Sequence, residues 1–288
     1  MLSYSALIRG EPSAPAAAAG VDDESLRAEP GAPADPGLEG LAGTGFGSAV
    51  HDILEAADFA TWSLPDTEPT AAETAQITHQ LLRRGIVVPE GESGRNRIMA
   101  VAGLVARCLH TPLPEIGPLS KVPAARRLAE MGFAMRLGGQ TAGAVTALLR
   151  DHGYSGLLSE EHGHRMLRGL MQGFIDLLVE HEGRYWVLDY KTNWLGALRG
   201  DYRPDRLGAA VRHGYYDLQY LIYVTALHRY LALRLPGYDP DRHLGGVQYL
   251  FVRGMNGHDD ATGVFVDHPP VPLIAALNRV FDGEAVPT

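Results

Sequence analysis

Two adjacent β-rich runs between Gly173 and Lys191 constrain the fold of this chain more than any other stretch. The runs GFIDLLVE and RYWVLDYK are rich in β-branched and aromatic residues, and only HEG separates them. Such runs around a short turn that contains Gly are typical of a β-hairpin. If the turn is centred between residues 182 and 183, the numbers of paired residues add up to 365.

This register brings charged side chains together. It pairs Asp176 with Asp189, and Phe174 with Lys191. Paired side chains lie on one face, with Cβ atoms about 4.5–5.5 Å apart. Lys191 lies two residues beyond Asp189, so it points to that face as well. A slip of one residue would scatter the group, so the prediction of two carboxylates beside one ammonium depends on the register.

A cation site is one interpretation of this group, and an exposed salt bridge on a strand pair is the other. Two opposed carboxylates repel each other unless a cation or a proton lies between them. Both aspartates lie in apolar runs, where an unpaired charge is costly. Because Mg²⁺ binds through one or two carboxylates plus water and phosphate oxygens, the group favours a Mg²⁺ site.

Lysine is a rare residue in this chain. Among 25 Lys and Arg residues, only Lys121 and Lys191 are lysines. Lysine carries a compact charge, and its pKa shifts readily when it is buried. At Lys191 an ammonium can orient or deprotonate an attacking water, or it can stabilise charge that develops on a phosphate. The sequence leaves these two roles open.

The pattern formed by Asp176 and, thirteen residues later, Asp189-Tyr190-Lys191 resembles the D…(D/E)xK core of the PD-(D/E)xK nuclease superfamily. The short pattern is weak by itself, but its surroundings are more specific. The stretches GFIDLLVEHEGRYWVLDYKTNWLG, YYDLQYLIYVTALHRYL and HLGGVQYLFVRGM closely resemble RecB-type C-terminal nuclease domains (exodeoxyribonuclease V, β subunit). The resemblance covers most of residues 43–260. It implies an α/β, restriction-endonuclease-like core with a mixed central sheet flanked by helices.

The resemblance also implies a metal site. GFGSAVHDILE resembles the family's G-x-x-x-H-x-x-L-E helix, which makes His51 the histidine that completes this site. The expected ligands are His51, Asp176, Asp189 and the backbone carbonyl of Tyr190, whose side chain points toward the core. Mg²⁺ is the expected ion. Imidazole is a more natural ligand for Mn²⁺, so activity with either ion fits the set.

A further acidic residue comes from the same resemblance. RRLAEMGFAMRL matches a family segment with a glutamate on or beside a strand, which is Glu130 here. Glu130 can bind the metal through water or hold the DNA end, and it joins Asp176, Asp189 and Lys191 as a catalytic candidate. A solvated acid at a strand edge is the structural alternative.

The stretch YYDLQYLIY matches the Q-x-x-x-Y signature that follows the catalytic lysine in RecB-type nucleases. Tyr216, Gln219 and Tyr223 are spaced at i, i+3 and i+7, so they share one helix face. An amide and phenols there can contact phosphates or stack on a base of single-stranded DNA. The alternative is packing in the core, and we expect Tyr216 to be partly structural.

Composition limits the function classes. The net charge is −9, but residues 1–40 hold seven acids and two arginines, so the remainder is mildly acidic and leaves room for a basic groove. The single cysteine, Cys108, excludes an internal disulfide and a four-cysteine zinc or iron–sulfur site. We find no Gly-rich loop that ends in Gly-Lys-Ser/Thr, no signal-peptide layout and no apolar run of transmembrane length. We expect a cytoplasmic protein without an iron–sulfur cluster or an ATP site in this chain.

Two regions divide the sequence. Residues 1–42 combine a short semi-apolar segment with an Ala-, Pro-, Gly- and acid-rich stretch, which predicts a flexible linker. Residues 43–288 are predicted to form the nuclease domain. Helical spacing predicts helices at about residues 46–59, 71–84, 96–110 and 141–153.

The resemblance implies metal-dependent phosphodiester hydrolysis on single-stranded or unwound DNA, in double-strand-break repair and recombination as part of a RecBCD-type complex. The expected partners are DNA, as single strands or duplex ends, the helicase and recognition subunits of such a complex, and a recombinase. The sequence shows no helicase domains, so we expect an isolated domain or a truncated RecB-type chain. Two alternatives are a docking module that recruits a recombinase and a degenerate nuclease that only binds DNA. The intact Asp176, Asp189 and Lys191 count against degeneration.

Overall fold

A mixed β-sheet forms the framework of the protein in the computed structural model, which describes residues 36–154, 163–164, 166–259 and 262–284. The strands are β1 Pro112–Leu113, β2 Gly117–Pro118, β3 Arg127–Thr141, β4 Met166–His181, β5 Arg184–Lys191, β6 Leu244–Phe251 and β7 Val264–Asp267. β1 and β2 form a separate short ribbon, and the other strands lie in the order β3-β4-β5-β6-β7. Among the strands in the described residues, only β5 and β6 are parallel neighbours. The expected mixed sheet is confirmed.

Helices flank this sheet on both faces. They are α1 Gly43–Ala56, α2 Ala71–Arg83, α3 Gly91–His110, α4 Ala142–Asp151, α5 Pro204–His213, α6 Tyr216–Arg234, α7 Pro240–His243 and α8 Val271–Phe281. The four predicted helices are confirmed as α1 to α4. Helix α3 begins five residues earlier than predicted, because its first turn, GESG, is polar and carries no apolar periodicity.

Two hydrophobic cores lie on opposite faces of the sheet. Helices α1, α2 and α3 pack with Trp186 and Leu188 in one core. Helices α4, α5, α6 and α8 pack with Val187 and Tyr249 in the other. Helix α6 is buried all round over its first three turns, from Tyr216 to Leu227. Polar residues of α6 therefore face packed surroundings instead of solvent.

The N-terminal part of the chain is described only from residue 36. Residues 1–35, which form most of the predicted linker region, lie outside the described residues. Leu38 and Leu41, which precede the predicted domain boundary, are buried in the core beside α1 and α3. No described helix combines the length and the apolar character needed to cross a membrane.

The register between β4 and β5 is the predicted one. The paired residues run from Leu177 opposite Leu188 toward the turn, and the numbers of each pair add up to 365. The ladder ends there, so the expected ladder pair of Asp176 with Asp189 is not formed. Instead, the carboxylate of Asp176 accepts a hydrogen bond from the backbone N–H of Tyr190 at 3.0 Å. The aspartates lie where the two strands separate.

A bend in the β3–β4 ribbon lies at the same point. Ile175 and Leu177 should lie on one face of a strand, yet they pack into different cores. Between them is Asp176, and opposite it Glu130 has a φ of 50°, which is uncommon for a residue other than glycine. The regular pairing skips both residues. Their side chains consequently turn toward one small cavity.

Candidate active site

A cleft opens between α1, the β3–β4 ribbon and α6, where β4 and β5 separate. Predicted site residues from five different helices and strands line this cleft. These residues are His51, Glu130, Asp176, Asp189, Gln219 and Tyr223. The fold therefore brings together positions that lie up to 172 residues apart in the sequence.

Lys191 is buried at one end of this group, with only 1% of its side chain exposed. Its Nζ lies 2.6 Å from Oδ2 of Asp189 and donates a hydrogen bond to Oε1 of Gln219 at 3.2 Å. The rings of Tyr216 and Tyr249 flank the ammonium, with centroids 4.2 and 5.1 Å from Nζ. We call these five residues the lysine pocket.

The lysine pocket explains why residue 191 is a lysine in a chain whose other basic residues, apart from Lys121, are arginines. Burying an ion pair costs several kcal/mol per ion unless further contacts offset that cost. Here the amide of Gln219 and two aromatic rings supply such contacts. A compact ammonium fits among these groups, whereas a planar guanidinium is larger and has a different hydrogen-bond geometry.

Gln219 is the centre of the hydrogen bonds in the pocket. Its Oε1 also accepts from the hydroxyl of Tyr249 at 2.8 Å, and its Nε2 donates to the hydroxyl of Tyr223 at 3.1 Å. Tyr216 donates from its hydroxyl to Oδ1 of Asn193 at 3.2 Å. These bonds fix the orientation of the amide, so its oxygen faces the ammonium.

Tyr249 is a site residue that the sequence reasoning missed. It lies in β6, directly opposite Asp189 of β5 in the parallel pairing. The stretch HLGGVQYLFVRGM contributed to the family resemblance, but a parallel register across a long crossover has no turn from which it can be counted. The signal that places Tyr249 is tertiary: the hydroxyl reaches the same amide as Lys191.

A second group lines the more open side of the cleft. His51 Nε2 donates to the carbonyl oxygen of Tyr190 at 2.8 Å, and its Nδ1 lies 3.3 Å from Oδ2 of Asp176. The side chains of His51 and Asp176 are 20% and 12% exposed, and Glu130 is exposed on the adjacent strand. We call His51, Asp176 and Glu130 the acidic wall.

The pKa values of the two carboxyl groups in the acidic wall are shifted in opposite directions. Burial opposes the ionisation of Asp176, but the charge and hydrogen bond of His51, with the charge of Lys191, outweigh it and lower the pKa. Glu130 is exposed overall, but partial desolvation of its carboxyl group, followed by the negative charges of Glu55 and Asp176, raises its pKa. The surroundings therefore favour the ionised form of Asp176, whose oxygens are suited to binding a cation.

The donors of the acidic wall suit a hard divalent cation. Within the described ranges, no three His, Cys, Asp or Glu side chains form a group that could hold a metal ion. A cation here therefore needs other oxygen ligands, such as the carbonyl of Tyr190, water or substrate, which is the usual situation for Mg²⁺. The set of His51, Asp176, Asp189 and Tyr190 stays a prediction.

The three residues predicted to contact DNA are buried. Tyr216, Gln219 and Tyr223 are 4%, 5% and 7% exposed. Gln219 and Tyr223 line the cleft, whereas the ring of Tyr216 packs beside Lys191 and Tyr249. Contacts between DNA and these residues stay predictions, and the burial of Tyr216 leaves little of its ring available for stacking.

Comparison with protein families agrees with this arrangement. The model of the PD-(D/E)XK nuclease superfamily matches residues 25–279. The chain belongs to this superfamily. The assignment of Asp176, Asp189 and Lys191 to the two acids and the lysine of the nuclease pattern stays a prediction. The fold places these residues of β4 and β5 at one cleft.

Relatives named RecBCD enzyme subunit RecB extend the match. The Escherichia coli protein is 38% identical over 181 residues, which cover 62% of this chain and 15% of that protein. Those of Mycolicibacterium smegmatis and Mycobacterium tuberculosis are both 36% identical, over 84% and 97% of this chain. The predicted resemblance to a RecB-type nuclease domain is confirmed. The chain spans 15–28% of the length of these relatives.

Proposed function

We propose that this PD-(D/E)XK domain hydrolyses phosphodiester bonds in DNA with the aid of Mg²⁺. The observation that carries the proposal is the juxtaposition, at one cleft, of the Asp176 carboxyl group beside His51 and the buried Lys191–Asp189 ion pair. One side offers oxygen donors for a cation, and the other offers a fixed positive charge. Both features can stabilise the charge that develops during phosphodiester hydrolysis.

The residues of the site have separate tasks in this proposal. Asp176, Asp189, His51 and the carbonyl of Tyr190 hold the cation. When bound, Mg²⁺ polarises a phosphate oxygen and lowers the pKa of a bound water. Lys191 orients that water or stabilises charge on the phosphate.

Gln219 fixes the lysine for this task. Its Oε1 accepts from the ammonium of Lys191, so the ammonium cannot turn away from the cleft without losing a hydrogen bond. Gln219 is therefore proposed as a positioning residue. Glu130 supports cation binding through water.

The names of the relatives support a biological setting. We propose that the chain acts with helicase and recognition subunits of a RecBCD-type complex, on single-stranded or unwound DNA, in double-strand-break repair and recombination. The mild acidity of residues 41–288 fits a domain that receives DNA from partner subunits. A docking role for a recombinase, without cleavage, is not favoured, because the three residues of the nuclease pattern are intact at one cleft.

A cleavage assay tests the proposal. The purified chain is incubated with end-labelled linear single-stranded DNA and Mg²⁺, beside Asp176→Asn and the exposed control Asp151→Asn. We expect cleavage by the wild type and the control, loss of cleavage in Asp176→Asn, and loss in all with EDTA. No cleavage by the wild type, or equal metal-independent cleavage by all three, would overturn the proposal.

A further inference from the structure

The β3–β4 ribbon exposes one face beyond the cleft. Along its strands, buried and more accessible residues alternate, and the buried set packs into the core beneath α6 and α8. Three directly paired positions carry the outward set: Gly132 with Phe174, Ala134 with Gln172, and Arg136 with Leu170. We call these six residues the ribbon face.

The ribbon face is continuous with the candidate active site. Phe174 lines the same cleft as Asp176, Asp189 and Glu130. From Phe174 the face runs outward along β4 to Leu170 and then Arg168. At about 3.4 Å per residue this is a path of about 20 Å, which is long enough for several nucleotides.

Charge on this part of the ribbon suits a phosphate backbone. Residues 131–141 of β3 and 166–175 of β4 contain no Asp or Glu, although the chain has 34 acidic residues. They do contain two arginines, Arg136 and Arg168, and both side chains are exposed. One acid from outside these strands, Asp282, packs its backbone against Gly138, and its side chain is ion-paired with Arg229. Strands that carry two guanidinium groups and no acid are complementary to an anionic polymer.

Phe174 offers an aromatic platform at the start of the path. It is 40% exposed although it lies in the sheet. A Cβ atom at Gly132 would lie only 3.2 Å from its ring, so the glycine gives the ring room against the backbone of β3. A supported aromatic ring that stays accessible beside an active site is suited to stacking on a nucleobase.

We propose that the ribbon face, together with Arg168 at its outer end, binds the single-stranded DNA next to the scissile phosphate. One base stacks on Phe174, and Arg136 and Arg168 bind the phosphates beyond it. The proposal rests on the proposed nuclease function for its direction, since the cleft marks one end of the path. The arginines give affinity without sequence preference, and the ring sets the position of the strand.

Binding in EDTA tests the ribbon face without depending on cleavage. A fluorescein-labelled 20-nucleotide oligo(dT) is titrated with the wild type, Phe174→Ala, Phe174→Leu, Phe174→Trp and the double variant Arg136→Ala/Arg168→Ala. Leu233→Ala and Arg95→Ala are matched controls, because Leu233 is 85% exposed on α6 and Arg95 is exposed on α3. Thermal unfolding verifies that every variant is folded.

We expect Kd to rise about tenfold for Phe174→Ala and Phe174→Leu, in line with the loss of one stacked base. Leucine keeps apolar packing over Gly132, so its failure to rescue separates stacking from packing, and Phe174→Trp should bind at least as tightly as the wild type. The arginine double variant should weaken binding and reduce its salt dependence. Both controls should match the wild type.

A second set of oligonucleotides assigns the stacked base. An abasic site is moved along the strand in single steps, and at one position the difference between wild type and Phe174→Ala should disappear. The ribbon face is overturned if the wild type does not bind, or if Phe174→Ala and the arginine variant bind like the controls. Binding of duplex DNA or RNA with equal affinity and equal sensitivity would overturn the assignment to single-stranded DNA.

The two proposals fail in different ways. If the wild type binds in EDTA, Phe174→Ala weakens that binding and no Mg²⁺-dependent cleavage occurs, the nuclease proposal fails and the ribbon face stands. If cleavage is lost in Asp176→Asn but Phe174→Ala binds and cleaves like the wild type, only the ribbon face fails.

Discussion

The two sides of the cleft differ in how deeply their polar groups are buried in the protein. In the lysine pocket, Lys191 and Asp189 are 1% and 3% exposed and lie 2.6 Å apart, and Gln219 joins them to two tyrosines. In the acidic wall, His51 and Asp176 are partly open, and Glu130 is exposed. The lysine pocket is buried and internally hydrogen-bonded, whereas the acidic wall is accessible from the cleft.

Because of this difference, the lysine pocket is preorganised, whereas the acidic wall can bind and release a cation. A buried ammonium held by an ion pair, an amide and aromatic rings needs no rearrangement when a charge develops nearby. A wall of carboxylates that repel each other gains stability when a cation arrives. Substitutions on the two sides should therefore have different effects on cleavage, stability and cation binding.

The largest effect is expected for Lys191→Arg. The charge is kept, but the guanidinium does not fit the space between Asp189, Gln219 and the ring of Tyr216 as the ammonium does. We expect cleavage of single-stranded DNA to fall by about 10²–10⁴-fold, while Mg²⁺ binding, measured by titration calorimetry, is kept. Full activity in this variant would show that the pocket does not require a compact ammonium.

Substitution of the aspartate on each side should reduce the stability of the protein by different amounts. Asp189→Asn leaves Lys191 buried without its counter-charge, which should cost about 3–5 kcal/mol in the free energy of unfolding. Asp176→Asn should cost only about 1–2 kcal/mol, because the group is partly open and lies beside another carboxyl. Urea unfolding at pH 7 in EDTA measures both values. Equal losses would mean that the two sides are equally preorganised.

Added Mg²⁺ should stabilise the protein through the acidic wall. At a free concentration of ten times Kd, binding to the folded state alone contributes about 1.4 kcal/mol. We expect Tm to rise with Mg²⁺ in the wild type and in Asp151→Asn, and to rise much less in Asp176→Asn. A Tm that does not respond to Mg²⁺ or Mn²⁺ would argue against a cation site in the wall.

Tyr249→Phe should have a smaller effect on the lysine pocket. The variant removes the hydroxyl that donates to Gln219 at 2.8 Å and keeps the ring beside Lys191. We expect a loss of about 1 kcal/mol in stability and a lower kcat at nearly unchanged KM, because Gln219 loses one of its fixed contacts. A change in KM alone would place Tyr249 in substrate binding instead of lysine positioning.

The smallest effect is expected for Glu130→Gln in EDTA. The folded-state pKa of Glu130 is raised by burial and by Glu55 and Asp176, so the fold favours its protonated form. Its contribution to stability is present below the unfolded pKa of about 4.3 and is lost as the pH rises through the folded value. The variant should therefore be slightly more stable than the wild type at pH 7, by less than about 0.5 kcal/mol, since Glu130 is exposed and screened.

The pH dependence of the stability difference between Glu130→Gln and the wild type serves as a control for its cause. Unfolding followed between pH 3.5 and pH 8 should show the advantage of Glu130→Gln disappearing at the acid end. Asp176 has a lowered pKa, so its contribution runs the other way and is lost as the pH falls. An advantage of Glu130→Gln that grows toward low pH would contradict the repulsion within the acidic wall.

Much of the candidate site could be predicted from local sequence. The hairpin turn at residues 182–183 fixed the register of β4 and β5, because a short turn leaves few ways to pair two strands. The spacing of apolar residues predicted α1 to α4, and the motif around His51 placed that residue at the cleft. These features depend on neighbours within about twenty residues.

Contacts between distant segments could not be predicted in this way. The pairing of Asp189 with Tyr249 depends on a parallel register, which no turn encodes. The expected ladder pair of Asp176 with Asp189 was wrong, because the ladder ends at Leu177 and the ribbon bends at Asp176. The spacing of Tyr216, Gln219 and Tyr223 placed them on one helix face, but it could not show that the first three turns of α6 are buried all round.

The sequence by itself determined the family pattern, the hairpin register and the presence of a lysine beside an aspartate. Those features are written in residue types and short spacings, which local backbone geometry converts directly into structure. Only the tertiary structure decided that Lys191 is enclosed by Gln219, Tyr216 and Tyr249 while Asp176 stays open to the cleft. Burial and charge pairing depend on which distant elements pack together, so the division into a buried side around Lys191 and a more open side around Asp176 arises with the packed fold.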